Sequence, residues 1–165
     1  YQLRGRECSG LKPNELAEIR NKQVGFIFQS FNLLAHASAL ENVALPLIYR
    51  GTSGRQRLQE AARLLERVGL ADRMDHKPNE LSGGQRQRVA VARALAGDPD
   101  LILADEPTGN LDTHSGDEIV ALFEELVSEG KSVIVVTHDL EIAQRAHRVV
   151  RIRDGVVEED TRQAA

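Results

Sequence analysis

The chain has 165 residues, 41% of them hydrophobic and 28% charged, with a formal net charge of −4, which suffices for one domain with a core or a core lobe with a smaller satellite. The mild acidic excess argues against a nucleic-acid-coating surface, the lone Cys8 permits no internal disulfide, and no stretch approaches the roughly eighteen apolar residues of a membrane-spanning helix. The first residue is Tyr1 and the only methionine is Met74, so the sequence is expected to be a fragment whose upstream part is missing.

Residues 1–8 read as a weak edge strand. Pro13-Asn14 opens a short helix over 15–20, followed by the buried-type strand Val24-Gly25-Phe26-Ile27-Phe28, which ends in Gln29. From residue 30 to about 97 the texture is helical. Residues 56–68 place Ala61, Leu65 and Val68 on one face, and Gly69 stops that helix. Beyond Asp98-Pro99, an apolar strand over 101–104 leads to a helix over 115–128 with Ile119, Leu122, Phe123 and Leu126 at i, i+3, i+4, i+7, and then to a second apolar strand over 133–136. That is a βαβ unit and implies a parallel sheet. Residues 149–152 and 156–157 flank Asp154-Gly155, a type I′ hairpin signal. The expected fold class is α/β, a core with a parallel sheet split by an inserted α-helical subdomain. Its expected segments are a partial core over 1–29, a helical subdomain over 30–97 and the rest of the core over 98–165.

In an open α/β sheet, ligands bind beyond the carboxyl ends of the strands. Gln29 ends one predicted strand, Asp105-Glu106 another, and Thr137-His138-Asp139 the third. Of the two adjacent carboxylates, Asp105 suits a Mg²⁺ ion and Glu106 suits a general base for a water attacking a γ-phosphate. Gln29 can orient a water or ligate Mg²⁺ without competing for the proton. His138 suits a γ-phosphate contact and orienting group. The string Ser82-Gly83-Gly84-Gln85 has the form of a capping box, and its glycines let a phosphate approach backbone N–H groups at the positive end of a helix dipole. Arg86, Arg88 and Arg93 follow on that helix, where surface salt bridges are the expected role. No G-x-x-x-x-G-K-[ST] loop occurs. Gly130-Lys131-Ser132 ends like one but follows a helix and enters a strand, and so reads as a glycine helix stop.

With LSGGQ at 81–85 and LILADEPTGNLD at 101–112, the chain resembles the nucleotide-binding (ATPase) subunit of ABC transporters over almost its whole length. The phrases FQSFNLL, ALENVALPLIYRG, PNELSGGQRQRVAVARAL and EPTGNLD are similar to the macrolide-export and lipoprotein-release (MacB/LolD-type) branch. The resemblance implies that Gln29 is the Q-loop glutamine, residues 81–85 the signature motif with Ser82, Gly83, Gly84 and Gln85 binding nucleotide, and residues 101–105 the Walker B strand. Glu106 would be the catalytic glutamate, residues 109–112 the D-loop with Asp112 among the nucleotide-binding residues, and His138 the switch histidine, all on a P-loop NTPase (RecA-like) core with an inserted α-helical signature subdomain and the N-terminal part of the core absent. It further implies ATP and Mg²⁺ as ligands, hydrolysis of ATP, and a head-to-tail dimer of two nucleotide-binding subunits. Transmembrane permease partners would be met near residues 31–48, and the location would be the cytoplasmic face of the bacterial inner membrane. Phe31, Leu33, Leu34, Leu40, Val43 and Leu47 serve equally well as filling of the helical subdomain. The Walker A loop and the aromatic that stacks on adenine would precede Tyr1, and Tyr1 does not match that aromatic. The chain taken alone is therefore expected to be inactive and poorly stable, with an exposed apolar slot beside the 101 and 133 strands. An ABC-type ATPase of cell division or regulation is the alternative. A DNA-repair or chromosome-maintenance ATPase fits less well, because only some fifty residues separate Gln29 from Leu81, without sustained heptads.

Overall fold

The computed structural model describes residues 2–3 and 5–162, and they divide into a first unit up to Val135 and a second from Val136. In the first unit, β1 (Gln2–Leu3) pairs antiparallel with β2 (Arg6–Glu7). The single edge strand expected there is thus a doubled-back ribbon, turned at Gly5, whose φ of 74° suits a residue without Cβ. Tyr1, part of that expectation, lies outside the described residues. Helix α1 (Pro13–Gln23) carries its proline in the first turn, where the missing N–H has no helical partner to lose. It runs into β3 (Val24–Phe28).

Three helices follow: α2 (Ala39–Tyr49), α3 (Gly54–Arg67) and α4 (Gly83–Leu95). Ser38 caps α2 by a reciprocal pair of bonds, its Oγ accepting from the Glu41 N–H at 3.2 Å while Glu41 accepts from the Ser38 N–H at 2.8 Å. Val43, Leu47, Leu64, Leu65 and Val89 form the core these helices share. Asn42 is buried among them, yet its amide donates to the carbonyls of Leu34, Ala37 and Ser38 and accepts from the Leu34 N–H at 2.7 Å. A buried amide paired this fully stabilises the loop it holds instead of costing desolvation.

The chain then runs through β4 (Leu101–Asp105), α5 (Thr113–Ser128) and β5 (Ser132–Val136), with sheet order β3-β4-β5. β3 and β4 are parallel, in register from Val24 opposite Leu101 to Phe28 opposite Asp105. Ile27, Ile102, Ala104, Val133 and Val135 point to the helices. The alternate residues Phe26, Phe28 and Ile134 are 39%, 37% and 53% exposed, and the two phenyl rings stack with centroids 6.1 Å apart. The apolar slot was expected beside the 101 and 133 strands, whereas the exposed apolar side chains lie mainly on β3, with Ile134 of β5. Gly130, at φ 89°, ends α5 with its own N–H on the Val127 carbonyl and the Lys131 N–H on that of Leu126. The Lys131 ammonium bonds Asp98 at 2.7 Å, so the triplet is a helix stop and not a phosphate loop.

In the second unit, α6 (Leu140–Gln144) precedes the hairpin of β6 (Arg148–Arg153) and β7 (Val156–Arg162). Both turn residues, Asp154 and Gly155, have positive φ, as a type I′ turn requires. A two-pronged bond from Arg148 to Asp160, at 2.8 and 2.7 Å, holds the Asp160 carboxyl below its ordinary pKa. Among the described residues no helix is long and apolar enough to cross a membrane.

Helix α4 fixes the first unit. Val89, Ala90, Val91 and Ala92 are fully buried, and a Cβ on Gly25 of β3 would stand 2.6 Å from the Ala94 carbonyl oxygen. Gly25→Ala is expected to destabilise the fold by about 1–3 kcal/mol, because backbone on both sides must separate. Urea unfolding of the two proteins side by side checks this, and equal midpoints would show that β3 and α4 are not held so closely.

Candidate active site at the strand ends

The parallel register of β3 and β4 brings the expected residues of those strands together. Phe28 pairs with Asp105, so Gln29 and Glu106 are the next residues out on neighbouring strands. Asp105 is exposed and Glu106 half-buried. Two residues of the following turn touch Gln29. The Asn110 side chain donates to its carbonyl at 2.9 Å, and Gly109 lies so close that a Cβ there would stand 2.6 Å from the Gln29 amide nitrogen. Gln29, Glu106, Gly109 and Asn110 thus form one contiguous patch.

Glu106 has φ 43° and precedes Pro107. A non-glycine residue in that region costs of order 1–3 kcal/mol and persists where its surroundings over-determine it. Two bonds do so. The Gly109 N–H returns to the Glu106 carbonyl at 3.1 Å, and the Gln87 amide of α4, fully buried, donates to the Pro107 carbonyl at 2.5 Å.

The N-terminus of α4 closes as its sequence predicts. Ser82 Oγ accepts from the Gln85 N–H at 3.2 Å, and Gln85 Oε1 accepts from the Ser82 N–H at 2.9 Å. Ser82 is exposed. The glycines have a further reason, which patterning does not show. A Cβ on Gly84 would meet Ser115 Oγ at 2.7 Å and Ser115 Cβ at 2.9 Å, while one on Gly83 would make ordinary contacts with Asn110 and Leu111. Gly84 is therefore required by the packing of α4 on α5, apart from any ligand. Asp112 caps α5, accepting from the Ser115 N–H at 2.9 Å and from the Ser115 hydroxyl at 2.8 Å, and these bonds lower its pKa.

Of the three α4 arginines, Arg88 makes the expected salt bridge, to Glu118 at 2.9 Å, while the other two make none among the described residues. Arg86 instead lies over the Phe31 ring, 5.0 Å from its centroid. Arg93 donates to the carbonyls of Phe31 and Asn32, and burial lowers its pKa. Both residues it grips have positive φ, 61° and 49°. The loop leaving Gln29 is thus held in a sparsely populated conformation from α4.

In the second unit, His138 is exposed and follows β5. The Asp139 N–H bonds Thr137 Oγ1 at 3.0 Å, and the Asp139 carboxylate caps α6 through the Glu141 N–H at 2.8 Å.

Sequence reading missed Gln87, Asn110 and the grip of Arg93. A signal existed for the first: Gln87 shares the i, i+3, i+4, i+7 phase of Ala90, Val91 and Ala94, so a polar side chain on the buried face of α4 was legible. Nothing local marked the other two, because their partners lie 81 and about 61 residues away in the chain.

The first unit thus sets two parallel strands, one ending at Gln29 and the other at Asp105-Glu106, against a glycine-opened helix in an α/β fold. The sequence profile of the ABC transporter family matches residues 2–109. The macrolide export ATP-binding/permease protein MacB of Rhodopirellula baltica is 56% identical over 168 residues, covering 100% of this chain and 25% of that protein. An ABC transporter ATP-binding protein of Thermotoga maritima, described as uncharacterized, is 56% identical over 156 residues, 94% of this chain and 67% of its own length. The ATP-binding cassette MJ0796, solved as a dimer in a post-hydrolysis state bound to ADP and Pi, superposes with a TM-score of 0.87 at 43% identity over 99% of this chain and 72% of that one. The chain belongs to the ABC transporter family. It spans about a quarter of the length of the export protein it matches.

The close contact of α4 with α5 gives a paired expectation. Gly84→Ala should lower stability by about 1–3 kcal/mol, and Ser115→Gly in the same protein should recover most of the loss, since the atoms in the way belong to the Ser115 side chain. Thermal melts of the two single variants and the double variant measure the coupling. Additive losses would mean that Gly84 is needed for some other reason.

Proposed function

We propose that the chain is the ATP-binding and ATP-hydrolysing part of an ABC export transporter. The observation that carries this reading is the patch of Gln29, Asp105-Glu106 and Asn110 at adjacent strand ends, where the sheet's ligands are expected. Glu106 takes the proton from the water that attacks the γ-phosphate, giving ADP and phosphate. Asp105 and Gln29 hold Mg²⁺. Among the described residues no cluster of three or more His, Cys, Asp or Glu side chains could hold a metal. Two protein ligands suit Mg²⁺, which keeps several waters and arrives with the nucleotide's phosphates.

Ser82, Gly83, Gly84 and Gln85 present the N-terminus of α4 to a phosphate, which fits the exposure of Ser82 and the ordinary contact distances around Gly83. In this reading the phosphate belongs to the ATP of a second copy, in a head-to-tail dimer. Asp112 orders the intervening turn. His138 contacts the γ-phosphate, a role that rests on its sequence position after β5 alone.

A permease partner fits the open groove between α2, α3 and the loop before α2. It is lined by Leu34, Ile48 and Leu58, all 40–50% exposed, with His36, Glu41 and Arg57 at its rim. The side chains of residues 31–48 divide between the core and the groove. Val43 and Leu47 are buried, Leu33 and Leu40 pack on the core, and Leu34 and Ile48 face the groove. Such a partner would place the chain at the cytoplasmic face of the membrane. The MacB relatives favour export over lipoprotein extraction as the coupled process.

In the full-length protein, Glu106→Gln should leave the affinity for Mg·ATP within a few-fold and slow single-turnover hydrolysis by about 100-fold or more, since a positioned base supplies roughly that factor. Near wild-type hydrolysis in that variant would remove Glu106 from the reaction.

A further inference from the structure

Gln87 is the buried polar group that the proposed chemistry leaves unused. It lies in the middle of α4, fully buried, and reaches the turn after β4 by one bond from its Nε2 to the Pro107 carbonyl, at 2.5 Å. Its Oε1 is buried with no hydrogen-bond partner among the described residues. An amide buried with half its capacity unmet is a costly way to fill space, and an apolar side chain of similar volume would pack there without that cost. The bond must therefore be worth keeping for what it holds.

It holds the carbonyl of Pro107, in the second peptide after the Glu106 α-carbon, and so anchors the turn that Glu106 enters at φ 43°. Because the Pro107 ring fixes φ at that residue, displacing its carbonyl carries the Glu106–Pro107 peptide along and shifts the Glu106 side chain relative to Gln29, which Asn110 and Gly109 hold from the other side. The same helix grips the loop leaving Gln29 through Arg93. Both polar residues at the strand ends are thus steadied from α4, and Gln87 steadies the one on β4.

We propose that Gln87 is a positioning residue for hydrolysis: by donating to the Pro107 carbonyl it sets the direction of the Glu106 carboxylate toward the attacking water, without touching nucleotide. The proposal rests on Glu106 being the base. Arg86 and Arg88 flank Gln87 on α4, Asp105 and Glu106 stand on the turn it meets, and Glu118 of α5 pairs with Arg88. These are the charged groups around any ionisable side chain put in its place.

The test uses the full-length protein with Gln87→Met, which keeps the volume and removes the donor, and Gln87→Glu, which keeps the shape and can donate only when protonated. Affinity for Mg²⁺ with a non-hydrolysable ATP analogue, single-turnover rate and thermal melt are measured for each. In Gln87→Met the rate should fall roughly ten- to hundredfold, the scale of a small misplacement of a catalytic group, with affinity changed by less than about threefold. In Gln87→Glu the rate should rise toward wild type as pH is lowered from about 8 to about 6, because burial favours the protonated, donating carboxyl. The wild type should lack that rise. Should Gln87→Met fail to fold, the pH profile of Gln87→Glu decides alone. Wild-type hydrolysis by Gln87→Met, losses of affinity and rate in equal measure, or a Gln87→Glu profile parallel to wild type would each overturn the proposal. Glu106→Gln is measured alongside. If it hydrolyses normally, the assignment of the base has failed, whereas a slow Glu106→Gln beside a normal Gln87→Met defeats the positioning role alone.

Discussion

The backbone of α4 approaches β3 so closely that only the missing Cβ of Gly25 keeps the Ala94 carbonyl out of collision. A backbone-to-backbone contact of this kind cannot be adjusted by a rotamer, so it sets the spacing between the helical stretch and the sheet. The faces of α4 then do separate work. Val89, Val91 and Ala92 bury into the shared core, Gly84 admits Ser115 of α5, and Arg93 and Gln87 reach the two loops that leave β3 and β4. Removing the close approach would loosen every one of these at once.

This arrangement explains how a short sheet presents polar residues that are not in relaxed conformations. Phe31, Asn32 and Glu106 all have positive φ without being glycine, and such residues persist only where neighbours over-determine them. Here the neighbours are hydrogen bonds from side chains of one helix. Because that helix also begins with Ser82 and its glycines, a ligand seated at the α4 N-terminus and the strand ends that carry Gln29 and Glu106 are joined through a single rigid element.

Much of this was legible in the sequence because it is local. Hydrophobic phase and the glycine stop gave α5, the Ser82–Gln85 spacing gave the α4 cap, Asp154-Gly155 gave the hairpin turn, and apolar runs ending in Gln29 and Asp105-Glu106 gave the strands. The misreadings have physical causes. Residues 1–8 lacked an apolar pattern strong enough to reveal that Gly5 reverses the chain. Arg86 and Arg93 looked like surface charges, because a sequence does not show that a carbonyl pair and an aromatic ring some sixty residues away lie beneath them. Gly84 was read for a phosphate alone, and the sequence did not show that packing against Ser115 also requires a glycine there. For the two arginines and Gly84 the deciding partner was distant in the chain.

The most direct measurement of the central claim is a structure of the full-length protein with Mg²⁺ and ATP, trapped by the Glu106→Gln substitution. The account predicts the γ-phosphate and its metal beside Gln29 and Asp105 of one copy, with the α4 N-terminus at Ser82 of a second copy against the same nucleotide, and the Gln87 to Pro107 bond intact. A nucleotide bound away from these strand ends, or one that leaves Asp105 and Gln29 uncontacted, would contradict it.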